Sequence, residues 1–135
     1  MIKQLLFTSL LLAPCAQSMA QSIKKADNVT MYSISQDGRY ACSANEGTVV
    51  LWNTEKDNNF TILDNEYYYC DGVSNNGIMA GSVGTTGSEL PALISADGIT
   101  YLPMPEDTEW SYGSARGISS DGTFVCGLLQ AQASA

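Results

Sequence analysis

The chain contains no histidine. Without an imidazole it cannot assemble a Ser-His-Asp or Cys-His nucleophile system, and it cannot supply histidine ligands to zinc. A pH switch based on histidine is excluded for the same reason. The sequence also lacks a D-x-D-x-D-G calcium loop. We therefore expect no catalytic residues, no bound metal and no cofactor.

Basic residues are scarce as well. Six lysines and arginines face 14 aspartates and glutamates, which gives a formal net charge of −8. Such a surface repels phosphate backbones and anionic membranes. The composition therefore excludes nucleic acid as a partner and indicates a solvated, acidic surface.

Long apolar runs are absent except at the start of the chain. Residues 1–20 combine a basic start at Lys3, the apolar run "LLFTSLLLAPCA" and small residues up to Ala20. This pattern predicts a secretory signal peptide cleaved after Ala20. The run is too short, and too interrupted by Pro14, to span a bilayer. We therefore expect no transmembrane span and an exported protein that is periplasmic, associated with the outer membrane or extracellular.

Cysteines are few, and three of them follow the signal peptide: Cys42, Cys70 and Cys126. An odd number in an exported chain leaves at least one of them free, buried or intermolecular. A disulfide between Cys42 and Cys70 is one alternative, and free thiols are the other. Within the signal, "LAPC" ending at Cys15 loosely resembles a lipoprotein signal, but its proline departs from that pattern and cleavage after Ala20 is favoured.

One phrase recurs three times, as "SISQDGRYACS", "GVSNNGIMAGS" and "GISSDGTFVCG". The copies align on a serine and on a glycine three positions later, with spacings of 39 and 45 residues. An Asp-Gly or Asn-Gly pair favours a tight turn, and the serine hydroxyl can bond to the turn backbone. Repeat periods of this size are typical of propeller blades. The predicted turn residues are Ser35, Gly38, Ser74, Gly77, Ser119 and Gly122.

Short β-prone segments follow each turn. A strand of small residues comes first, then an apolar strand such as "TVVLWN", then a closing strand such as "FTIL". No helical period appears outside the signal. We expect an all-β fold of antiparallel repeats over residues 21–135, with units starting near residues 30, 69 and 114.

Counting from each turn glycine aligns Cys42, Gly81 and Cys126, which predicts a tightly packed position. "SADG", ending at Gly98, is interpreted as a hairpin inside the second unit.

The phrase "GISSDGTFVCG" and the segment "VVLWNTEKDNNFTIL" resemble the HAF-type extracellular repeats of exported bacterial proteins. The resemblance covers most of residues 30–127 and implies β-propeller-like blades. The third unit has no apolar strand or closing hairpin after Gly127, so we expect an incomplete propeller. It is either the N-terminal piece of a longer protein, which is favoured, or a small open stack of sheets. An exposed β-edge is expected to associate.

Aromatic residues occupy corresponding places in "EYYYC" and "EWSYG". Tyr67, Trp110 and Tyr112 are therefore candidates for a patch that binds a protein or glycan, and packing in the core is the alternative. Two functions are considered. The favoured one is an exported, non-enzymatic β-repeat module with a structural or interaction role. The alternative is a fragment of a propeller-type hydrolase, such as a glycosidase that uses Asp and Glu.

Overall fold

The protein is all-β in a computed structural model that describes residues 30–45, 48–56, 60–64, 68–106 and 109–131. These residues form ten strands, and every strand pairing is antiparallel. No helix that could cross a bilayer occurs within these ranges. The predicted signal peptide and Tyr67 lie outside the described residues.

The strands form three sheets that follow one another along the chain, and neighbours in sequence are neighbours in each sheet. The first sheet contains β1 (Ser33–Ile34), β2 (Tyr40–Asn45), β3 (Thr48–Asn53) and β4 (Phe60–Asp64). The second contains β5 (Tyr68–Val73), β6 (Met79–Val83), β7 (Leu90–Ser95) and β8 (Gly98–Tyr101). The third contains β9 (Trp110–Ile118) and β10 (Val125–Ala131).

Each sheet begins with a strand that precedes its repeated turn. β1, β5 and β9 lie before the three turns and pair with the strands that follow them. The "SADG" segment does form the expected hairpin, because Ser95 pairs with Gly98 at the junction of β7 and β8. A complete unit is therefore a four-stranded antiparallel meander.

The sheets stack in chain order around an apolar core. The first sheet contacts β5 through β1, β2 and β3, and the second contacts β9 through β5, β6 and β7. Fully buried side chains such as those of Val49, Met79 and Ile94 lie in the core shared by the first two sheets. Each contributes about 1.5–3 kcal/mol through burial. The described residues form a stack of sheets and do not close into a propeller ring.

The second turn is one residue shorter than the other two. In the first and third units, the backbone N–H of the turn serine donates to the carbonyl of the residue five positions later. These acceptors are Tyr40 and Phe124, and both distances are 2.8 Å. In the second unit, Ser74 donates instead to the carbonyl of Ile78, four positions later, over 2.9 Å. Strand positions after the turn are therefore offset by one residue in the second unit.

This offset corrects the alignment of the cysteine position. The residue that stands two positions before each turn serine pairs with a residue of the next strand. That partner is Cys42 in the first sheet, Ala80 in the second and Cys126 in the third. Gly81 corresponds instead to Gly127. Each of these glycines pairs with the residue that directly precedes the bulge in the strand before the turn. The expectation that Gly81 shares a position with the two cysteines was wrong, because counting from the glycine ignores the length of the turn.

Candidate functional site

The three repeated turns are built around their serine side chains. Ser35 Oγ accepts a hydrogen bond from the backbone N–H of Tyr40 over 3.0 Å and donates one to Asp37 Oδ1 over 2.7 Å. Ser74 and Ser119 accept the corresponding backbone bonds over 3.1 and 2.9 Å. The turn glycines have φ values of 74, 77 and 81°, a conformation that glycine adopts without a steric penalty. These contacts give the serines a structural role.

The aspartates of the first and third turns are held ionised. The backbone N–H of Arg39, the Ser35 hydroxyl and the Arg39 guanidinium lower the pKa of Asp37 to about 2. The Ser119 hydroxyl, with the backbone N–H of Thr123, lowers the pKa of Asp121 to about 2. A general acid needs a carboxyl group whose pKa is raised. These carboxylates therefore stabilise turns and do not serve as proton donors.

The turns also contact one another across the sheets. Asn75 Oδ1 accepts a hydrogen bond from the backbone N–H of Asp37 over 3.2 Å, and Asn75 N–H donates to the carbonyl of Ser120 over 2.8 Å. Asn76 Nδ2 donates to the carbonyl of Asp121 over 3.0 Å. The three turns thus lie side by side on one rim, linked by polar contacts through the second turn.

A groove of about 240 Å³ opens between the second and third sheets, and we call it the inter-sheet groove. Tyr69, on β5, is 48% exposed, and Tyr112, on β9, is half-buried. Charged and polar groups complete the lining. The residues that define the groove are Tyr69, Asp71, Glu89, Tyr112, Arg116 and Gln130.

Two β-bulges aim charged side chains into this groove. Asp71 is the extra residue of β5 opposite β6, and Arg116 is the extra residue of β9 opposite β10. An extra residue bends its strand and redirects its side chain. Arg116 Nη1 donates to Asp71 Oδ2 over 3.1 Å, so the two bulges form an ion pair between neighbouring sheets. The Glu89 carboxylate, also in the lining, accepts a hydrogen bond from the backbone N–H of Gly87 over 2.8 Å.

The predicted aromatic patch is only partly assembled in this groove. Tyr112 lines it, whereas Trp110 is 42% exposed on the same strand and is not among the lining residues. A second bulge, at Ser111, separates the two and disrupts the alternation along β9. Tyr67 lies outside the described residues. The sequence interpretation missed Tyr69, although period-two alternation within "YYY" could have pointed to it.

The three cysteines among the described residues are free thiols in two different environments. Cys42 and Cys70 are buried in the core where β2 packs against β5. Interaction with the Cys42 thiol, together with burial, raises the pKa of the Cys70 thiol above its usual range. Cys126 is exposed on β10. The buried thiols therefore act as small apolar side chains in the core.

The groove offers two tyrosine rings, one arginine and carboxylate oxygens, a set suited to binding polar ligands that also present an apolar face. No group of three or more metal-binding side chains occurs in the part of the chain that the structure describes. Comparisons with protein-family models, with curated proteins and with solved structures find no match to this chain. Its function must therefore be inferred from its own residues and their geometry.

Proposed function

We propose that this chain is an exported, non-enzymatic β-repeat module of the HAF type, which binds a protein or glycan through the inter-sheet groove. The observation that carries the proposal is the groove itself, with Tyr69 and Tyr112 beside the Asp71–Arg116 ion pair. Tyrosine rings offer large contact area at little entropic cost, and an arginine adds directional donors. Export is supported by the signal-peptide pattern of residues 1–20.

The repeats are proposed to be propeller-like blades. Two four-stranded antiparallel meanders, stacked in chain order and followed by a third sheet, have the strand order of such blades. The resemblance of the turn phrases to HAF repeats supports the same assignment. A blade stack presents rims and inter-sheet grooves as binding surfaces, which agrees with an interaction role.

No contact among the described residues favours the glycosidase alternative. Hydrolysis by two carboxyl groups needs one acid whose pKa is raised so that it can protonate the leaving group. The pKa values of Asp37 and Asp121 are lowered instead. Both residues lie in turns whose own hydrogen bonds account for their position.

The test replaces the groove tyrosines and leaves an equally exposed tyrosine as a control. The double variant Tyr69→Ala/Tyr112→Ala and the control Tyr101→Ala are compared with the native chain on glycan arrays and on panels of exported surface proteins. Tyr101 is 53% exposed on β8 and does not line the groove. We expect the double variant to lose binding by roughly tenfold or more, as for aromatic hot spots, and the control to retain it. Unchanged binding by the double variant contradicts the proposal.

A further inference from the structure

The inter-sheet groove has hydrogen-bonding groups that the described residues do not use. Asp71 Oδ2 accepts from the Arg116 guanidinium, and Glu89 Oε2 accepts from the backbone N–H of Gly87. No donor among the described residues reaches the other oxygen of either carboxylate. Arg116 engages a described acceptor through Nη1 and has further N–H groups to donate. One lining therefore offers both free acceptors and free donors to a ligand.

The charge of the groove disfavours an anionic ligand. The carboxylates of Asp71 and Glu89 outnumber the guanidinium of Arg116 among the lining residues, in a chain whose formal net charge is −8. A lysine side chain would donate to the carboxylates, but it has no acceptor for the remaining N–H groups of Arg116 and carries the same charge. A neutral ligand that both donates and accepts hydrogen bonds therefore matches this lining better than either kind of ion.

The size of the groove and its aromatic rings restrict the ligand further. Its volume of about 240 Å³ lies below the roughly 300–1,000 Å³ of sites for drug-sized molecules, so it suits one small ring. A stable protein interface buries roughly 800 Å² on each partner, and a recess of this size supplies only a small part of that area. Tyr69, which is 48% exposed, and Tyr112 add apolar ring surface to the lining.

We propose that the inter-sheet groove binds one neutral pyranose unit of a glycan. The apolar face of the sugar ring packs on Tyr69 and Tyr112. Each sugar hydroxyl can both donate and accept, so neighbouring hydroxyls accept from Arg116 and donate to Asp71 or Glu89. This inference rests on the function proposed above and narrows its ligand from a protein or glycan to a neutral sugar. Acidic sugars and basic peptides are the competing ligands that the test compares.

The experiment is an NMR titration of the full chain with three kinds of soluble probe. The first kind comprises the methyl glycosides of glucose, galactose and mannose. The second comprises the methyl glycosides of the corresponding uronic acids, which keep the ring and add a carboxylate. The third is a lysine-rich peptide. Shifts of the backbone amide signals locate each probe on the protein, and their concentration dependence gives its Kd.

A pair of double variants tests the role of charge. Asp71→Asn/Glu89→Gln removes both carboxylates from the groove and leaves Arg116 as its charged group. The control Glu55→Gln/Asp97→Asn removes the same number of negative charges at exposed positions that do not line the groove. Circular dichroism of both variants checks that the fold is retained, so that a difference in binding reports on the groove and not on the net charge of the chain.

We expect at least one neutral glycoside to bind the native chain, with signal shifts confined to residues of the groove. Its uronic-acid counterpart should bind roughly tenfold or more weakly, because its carboxylate meets the like charges of Asp71 and Glu89. In Asp71→Asn/Glu89→Gln the acidic sugar should become the tighter ligand, since only Arg116 remains charged. The control variant should keep the order of the native chain.

The inference is overturned if no neutral glycoside binds, if shifts lie outside the groove, or if the native chain prefers the acidic sugars or the peptide. An order of affinities that does not change in Asp71→Asn/Glu89→Gln overturns it too. The proposed function survives any of these results as long as Tyr69→Ala/Tyr112→Ala still loses binding to an exported protein. If that double variant retains all the binding of the native chain, the proposed function fails as well.

Discussion

The offset between the second turn and the other two makes a sharp prediction about two neighbouring residues of β6. If Gly81 shared its position with Cys42 and Cys126, then Gly81→Cys would be tolerated. The hydrogen-bond register instead assigns that position to Ala80. We therefore compare Ala80→Cys with Gly81→Cys, which add the same final side chain at adjacent positions.

The expected costs differ because of what each new atom meets. A Cβ at Gly81 would overlap the carbonyl oxygen of Tyr69 and lie 3.0 Å from Cys70 Cα, and both are backbone atoms of the paired strand. The overlap can be relieved only if β5 and β6 move apart. The substitution should therefore lower the free energy of unfolding by about 3 kcal/mol, the upper end of the range for overpacking. Ala80 already carries a Cβ at 0% exposure, and one added sulfur costs about 1 kcal/mol.

The assay is thermal unfolding followed by circular dichroism, with a reducing agent present so that no new disulfide contributes. A cost of about 3 kcal/mol lowers Tm by roughly 12 °C or more for a domain of this size, and about 1 kcal/mol lowers it by roughly 4–8 °C. Equal Tm values for the two variants, or a lower Tm for Ala80→Cys, would refute the register and restore the alignment counted from the glycine.

Three further predictions follow from the described contacts. Among the described cysteines of the folded protein, iodoacetamide should modify only Cys126, and Cys42 and Cys70 should react only after unfolding; early modification of a buried thiol, detected by peptide mapping, would contradict the packing between β2 and β5. Ser43→Ala should raise stability by roughly 1 kcal/mol in urea titrations, because the buried Ser43 hydroxyl has no hydrogen-bond partner among the described residues; a loss of stability would mean that it is bonded. The pKa values of Asp37 and Asp121 are lowered in the folded state, so their stabilising contribution is complete above about pH 4 and is lost as the pH falls through about 2. The Tm advantage of the native chain over Asp37→Asn/Asp121→Asn should therefore shrink from pH 4 to pH 2, and a constant difference would exclude this linkage.

The turns were the most predictable part of the fold because their chemistry is local. A serine, a glycine three residues later and β-prone flanks specify the turn within a few residues, and the hydroxyl bonds of Ser35 and Ser119 follow from that spacing. The all-β class followed from the same pattern and is confirmed. Long-range register was not accessible, because one residue fewer in the second turn changes the partner of every residue after it.

The strands before the turns, and the groove that they line, escaped sequence interpretation for a related reason. Bulges at Asp71 and Arg116 interrupt the alternation that identifies a strand. Tyr112 was predicted from its place in the repeat, but Tyr69 joins it only through the packing of β5 beside β9. Which aromatic residues meet depends on contacts between sheets, and a one-dimensional pattern does not contain them.

The bulges connect the repeated fold to the proposed binding surface. Asp71 and Arg116 occupy the same place in successive units, one residue after Cys70 and Ala115, which pair with the equivalent glycines of β6 and β10. Stacking therefore brings two equivalent positions of opposite charge together at the sheet boundary. Their side chains are 35% and 56% exposed, so the ion pair contributes no more than about 1 kcal/mol to stability. Its main effect is orientation, since it fixes the Arg116 guanidinium in the groove beside Tyr69 and Tyr112. The charged groups of the groove therefore come from Asp71 and Arg116, a position at which the two repeats differ, and not from the phrase that the repeats share.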